Sequence, residues 1–144
     1  MAKVSIRPTV SLSAYHANDC VGGLIHVAAG VQRNDQEILQ SIHIADLANQ
    51  KAGLVLVFFD AEPSAGTYTD HAAIDFSDDA EKIIRSVLVN TSDYQTVGGI
   101  ALADINIAQT LYQDVKDLHL AIMCTGTPTF TGASDLKIEL GLVP

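Results

Sequence analysis

The sequence predicts an all-β fold, a jelly-roll-like antiparallel β-sandwich with one short helix. Three observations carry that reading. Apolar residues recur with a period of two in about eight short segments, the side-chain alternation of strands. Short stretches rich in Gly, Pro, Asp and Ser separate them, as in sandwiches built from hairpins and Greek keys. Only one segment, near residues 78 to 84, carries the chemistry of a helix start.

In chain order, Val4, Ile6 and Val10 suggest a first strand. Pro8 has no N–H for a ladder, so residues 1–12 read as an N-terminal arm or an edge strand. Val21 to Ala28 reads as a second strand, with Gly22-Gly23 marking a bulge or a close backbone approach. Residues 38 to 47 alternate, with Ile38, Gln40, Ile42, Ile44 and Asp46 assigned to one face. Leu54 to Phe59 is a continuous apolar run bounded by Gly53 and Asp60-Ala61-Glu62-Pro63, the pattern of a central strand covered on both faces.

Ser64 to Asp70 is small and polar and reads as a loop, followed by a short strand around Ala72 to Phe76. Asp78 and Glu81 fit a capping box, which predicts one or two helical turns over 78 to 84. Strands follow at Arg85 to Asn90 and Val97 to Ile107, the latter with Gly98-Gly99 inside it. Residues 108 to 118 fit a helix or a loop. Leu118 to Cys124 and Leu136 to Leu140 are the last strands, and the final one is expected at a sheet edge or paired with a neighbouring molecule.

A chain of 144 residues buries roughly two-thirds of its unfolded surface, so residues 1–144 read as a single β-sandwich domain. Seventeen Asp and Glu against eight Lys and Arg give a net charge of −9. That charge opposes the phosphate neutralisation on which nucleic-acid affinity depends and the approach to anionic membranes. The longest apolar run, Ala52 to Phe59, is far short of the ~20 residues that span a bilayer as a helix. Neither nucleic acid nor membrane is therefore expected as a partner. The opening Met1 to Pro8 lacks the apolar core of an export signal, and Cys20 and Cys124 sit in apolar stretches, so both read as buried free thiols.

Phosphate-cradle, nucleophile-elbow and zinc-hydrolase motifs are all missing, so no enzyme and no cofactor are expected. The carboxylates at Asp60, Glu62, Asp70, Asp75, Asp78 and Asp79 invite a calcium site or a glycosidase pair, but they lack the ligand alternation of the first and any specific spacing for the second. His71 beside Asp70 has no fixed geometry from adjacency alone.

Several landmarks occur in a fixed order. They are Asp19-Cys20-Val21-Gly22-Gly23-Leu24, Leu39-Gln40-Ser41-Ile42-His43-Ile44-Ala45-Asp46, and Leu56-Val57-Phe58-Phe59-Asp60-Ala61-Glu62-Pro63. Thr69-Asp70-His71-Ala72-Ala73 with Asp78 and Asp79 follows, then Pro128-Thr129 and Ser134-Asp135-Leu136. In this order the chain resembles the capsid decoration or cement proteins of tailed bacteriophages, small virion proteins with a jelly-roll-like fold. The resemblance covers most of the chain and implies a structural protein of the virion. It would bind the major capsid protein on the capsid exterior as a homotrimer, after assembly in the host cytoplasm.

A tail or connector structural protein fits the same landmarks, and a carbohydrate- or calcium-binding β-sandwich is the alternative from another class. The loop from Glu62 to Asp70 is the expected partner contact, with Glu62, Pro63, Tyr68 and Asp70 as candidate residues. It follows the most buried strand, is long for a hairpin connection, and offers Tyr68 as its one large amphipathic side chain.

Overall fold

A computed structural model describes residues 2–27, 38–111 and 118–143. Among them are nine strands: β1 (Ala2–Ile6), β2 (Ile25–His26), β3 (Ile38–Asp46), β4 (Leu54–Phe59), β5 (Ile83–Val89), β6 (Tyr94–Val97), β7 (Ile100–Thr110), β8 (His119–Cys124) and β9 (Leu136–Val143). They form a five-stranded sheet, β1-β9-β3-β7-β6, and a four-stranded sheet, β2-β8-β4-β5. All the pairings are antiparallel. β4 pairs with β5, β3 with β7, β2 with β8 and β1 with β9, so the chain is one long hairpin wound into two layers, with β6 as a short addition. That is jelly-roll topology.

The core lies between the sheets. Leu54, Leu56 and Phe58 of β4, with Leu120 and Ile122 of β8, pack in one cluster with Ile42 and Ile44 of β3 and with Leu136, Ile138, Leu140 and Leu142 of β9. All are completely buried. Each such side chain contributes about 1.5–3 kcal/mol relative to exposure. β4 is covered on both faces, as its unbroken apolar run requires: Val57 and Phe59 point the other way, into a second, smaller cluster on the outside of the four-stranded sheet.

The face assigned to the start of β3 is inverted. The register shifts between Leu39 and Ser41 against both neighbouring strands, so Leu39 is fully buried and Ile38 is not. A bulge inserts one residue and reverses the alternation upstream of it, which a strict two-residue period cannot foresee. Gly98-Gly99 also differs from expectation: both glycines have positive φ and form the turn of a hairpin that splits the expected 97–107 strand into β6 and β7. By contrast, Gly22 does mark a close backbone approach, since a Cβ there would collide with the Pro8 ring. β2 is only two residues long, shorter than the strand expected from Val21 to Ala28, whose last residue lies outside the described set.

The short helix is a 3-10 segment, Ser77–Lys82, not an α-helix. Its N-cap is Phe76 and no side chain caps it, so the Asp78/Glu81 capping box does not form. Asp79 is turned inward instead. A second 3-10 turn, Thr91–Asp93, follows β5, and there the Asp93 carboxylate accepts the Asn90 amide at 2.8 Å. No strand forms over 72–76, where only isolated bridges such as Asp19 to Ala73 occur.

β1, Ala2–Ile6, borders the five-stranded sheet, and the residues after it up to 12 form no strand. The last strand departs from expectation: β9 is interior, paired with β1 on one side and β3 on the other, and so is closed to further pairing. The possible helix at 108–118 falls mostly on residues outside the described set.

Candidate functional site

The connection from β4 to β5, residues 60–82, is a strap across the outer face of the four-stranded sheet. Tyr68, Ile74 and Phe76 come down on Val57, Phe59 and Ala121. The Tyr68 and Phe76 rings lie 5.8 and 6.3 Å from the Phe59 ring, centroid to centroid. Such aromatic contacts contribute about 0.5–1.5 kcal/mol beyond the area they bury. The base of the strap is closed by the Asp60 amide donating to the Lys82 carbonyl at 3.1 Å.

Two carboxylates hold the strap in shape. Asp79 is 1% exposed and accepts the amides of Ser64 (3.0 Å), Ala65 (2.9 Å) and Gly66 (2.7 Å), as well as the Tyr68 hydroxyl (2.8 Å). Lys82 Nζ stands 3.4 Å away and also donates to the Glu62 carbonyl. Desolvation raises the Asp79 pKa, but the amides and the hydroxyl outweigh it and hold the carboxyl well below its usual range. Gly66 is required here because a Cβ would run into the Asp75 carbonyl.

Asp70 fastens the far tip of the strap to the connection between β1 and β2. It accepts from Ser11 Oγ (2.5 Å), the Tyr15 hydroxyl (2.7 Å) and the Gly22 amide (2.7 Å). Desolvation opposes its ionisation, and these three donors still leave its pKa lowered. Burial, and then the bond to Asp70, push the Tyr15 hydroxyl up to about 12. His71 Nε2 lies 2.9 Å from the Ala14 carbonyl, and the amides of Cys20, His71 and Ile74 complete the join.

The candidate contact residues are therefore brought together, but most of them face inward. Pro63 is buried, Tyr68 packs its ring on Phe59 and donates its hydroxyl to Asp79, and Asp70 is a fastener. Only Glu62 is exposed. Asp79, the most connected group of the region, stood in the sequence as one acid among several. The Ser64-Ala65-Gly66 run of small residues thirteen to fifteen positions earlier was the signal that amides would be free to wrap a carboxylate.

A different polar cluster lies on the outer face of the five-stranded sheet. Lys3, Ser41, His43, Asp104, Glu139 and Gly141 line a groove of about 360 Å³. His43 sits in register with Asp104 on one side and Glu139 on the other, and its Nδ1 is 2.6 Å from Asp104 Oδ1. Lys137 stands 3.1 Å from Glu139; its hydrogen bond and charge lower the Glu139 pKa. The groove offers hydrogen-bond donors and acceptors but no aromatic platform. Alternation on each strand projects these side chains outward, and the pairing that joins them across β1, β9, β3 and β7 is a product of the tertiary fold.

Cys20 and Cys124 are free and fully buried, and burial raises the pKa of both, that of Cys20 to about 11. Among the described residues no group of three or more His, Cys, Asp or Glu is arranged to hold a metal ion, and no helix is long and apolar enough to cross a membrane. A scan against protein-family models finds no match for the chain, and a search of the curated proteins finds none either.

Proposed function

We propose that the protein is a structural component of a tailed-bacteriophage virion, a capsid decoration or cement protein without enzymatic activity. In this reading it binds the outside of the shell built from the major capsid protein, as a homotrimer. The observation that carries it is the use of the carboxylates. Asp19, Asp46, Asp70, Asp79 and Asp135 each accept backbone amides and brace a loop, where an enzyme or a calcium module would aim such groups into a cleft. A module that must present fixed surfaces to neighbours needs loops held in this way.

The landmarks behind the resemblance also fall on the bracing. Asp19 to Leu24 meets the tip of the strap, Leu56 to Pro63 is β4 running into the strap, and Thr69 to Ala73 with Asp79 contains its fasteners. The net charge of −9 suits a position facing solvent better than one facing packaged DNA. The polar groove around His43 favours, as a second reading, a module that takes a neutral polyhydroxylated ligand such as a sugar.

The test is cosedimentation of the purified protein with shells of the major capsid protein encoded in the same genome, prepared without this gene product. Saturable binding with a higher shell disruption temperature is the expected result. Absence of binding at micromolar concentration would overturn the reading, and heat-shift binding to a sugar panel would favour the second.

A further inference from the structure

The groove on the outer face of the five-stranded sheet is built on two rows of residues set by strand register. Lys3, Gly141, Ser41 and Asn106 stand opposite one another across β1, β9, β3 and β7, and Ser5, Glu139, His43 and Asp104 form the next outward row. The floor of the groove is Gly141. Among the described residues no other strand contains a glycine. Its φ is not positive, so the backbone does not demand glycine there, and glycine within a strand costs stability. What Gly141 supplies is space. A side chain at 141 would stand in the first row between Lys3 and Ser41, and its Cβ would collide with Ser41 Oγ.

The groups around that space have bonding capacity left over. Among the described residues, Ser41 Oγ has no hydrogen-bond partner, and Lys3 acts on Glu139 only through its charge. His43 uses Nδ1 on Asp104 and keeps Nε2, while the Asp104 side chain is 80% exposed and keeps most of its acceptor sites. Lys3 and Lys137 stand against Asp104 and Glu139, so the fixed charges of the groove balance. At about 360 Å³ the groove falls at the small end of ligand sites.

We propose that this groove binds one neutral pyranose ring, edge-on through adjacent hydroxyls, and that Gly141 is the residue that admits it. This inference rests on the second reading above. Ring hydroxyls both donate and accept, which matches carboxylate acceptors set beside the Lys3 and Ser41 donors. An acidic sugar would bring a further carboxylate against Asp104 and Glu139 and is disfavoured. Without an aromatic face to stack on, the contact is hydrogen bonding in an open groove, so each site binds weakly, in the millimolar range. Many copies on one surface would multiply it.

The experiment titrates the isotope-labelled protein with the methyl glycosides of glucose, galactose and mannose, and with methyl glucuronide, followed by amide NMR shifts. At least one neutral glycoside should move the amides of Lys3, Ser41, His43, Asp104 and Gly141 saturably, and the glucuronide should not. Ser41→Ala/Gly141→Val puts a larger side chain on the groove floor while removing the oxygen it would strike. It should bind at least about tenfold more weakly, yet melt a few degrees higher, since valine suits a strand and glycine does not. Asp104→Ala, at an exposed side chain, should weaken binding about fivefold with no change in fold. Unchanged affinity in either variant, or equal binding of the glucuronide, would overturn the inference. So would a lower midpoint in the double variant, because Gly141 would then serve packing. A neutral glycoside that moves only amides elsewhere leaves the second reading standing and overturns this inference alone. Absence of any shift at millimolar concentration overturns both.

Discussion

Asp79 and Asp46 are both buried carboxylates that accept loop amides, yet their titrations run in opposite directions. At Asp79 the amides and the Tyr68 hydroxyl win over desolvation, so the folded pKa lies below the ordinary 3.8. Its contribution is then fully present above about pH 4 and is lost as pH falls below that value. At Asp46 desolvation wins over the amides and the pKa is raised, so the folded state holds its proton to higher pH and stability falls as pH rises through that window. Asp79→Asn should lower the thermal midpoint at neutral pH and flatten its decline below pH 4. Asp46→Asn should leave that decline in place. Both are read from melting curves between pH 2.5 and 7, a range set by about one unit or more on either side of the carboxylate values. A second residue-scale test is Tyr94→Phe, which removes the buried 2.7 Å bond to the Ala52 carbonyl and should cost about 1 kcal/mol in urea unfolding.

Among the elements, the strap decides how the four-stranded sheet meets water. Without it, Val57, Phe59 and Ala121 would form an exposed apolar stripe. Gly66→Ala would force the strap away from the Asp75 carbonyl and should destabilise the fold by about 1–3 kcal/mol, with dye binding to the uncovered sheet as a second readout. The double cover of β4 was legible because an unbroken run such as Leu54 to Phe59 must be buried on both faces. What covered it was not legible. Tyr68, Ile74 and Phe76 are spaced irregularly in a polar stretch, and only the closed strap aligns them. The same holds for Tyr68 and Asp70, whose residue types suit a contact surface as well as they suit the internal bonds they make. Asp78 and Glu81 had the spacing of a capping box, but the demand of the Ser64 to Gly66 amides for Asp79 sets the local turn instead.

At the scale of the whole molecule, the sandwich followed from period-two patterning, and its long-hairpin winding places β9 in the interior of a sheet. Position in the sequence carries no information on which strand borders a sheet, because strand order depends on pairings between distant segments. With β9 closed, side-by-side association has the outer edges of β1, β2, β5 and β6 to use, or the sheet faces. Light scattering on the eluting peak should give about three times 15.3 kDa, and a monomer would remove the trimer from the proposal. Alkylation of the native protein should be slow at both cysteines, and two labels should appear on denaturation without reductant.

The pairing of β1 with β9 has a mechanical consequence. Ala2 lies opposite Leu142 and Ile6 opposite Ile138, so the outer ends of the two strands emerge side by side. A pull that separates those ends loads the ladder one rung at a time, as a zipper is opened. A pull along β1 toward its Ile6 end would instead load all the rungs together. In single-molecule stretching, handles attached near residues 2 and 142 should open the sandwich at low force, and handles near residues 6 and 142 should require a markedly higher one.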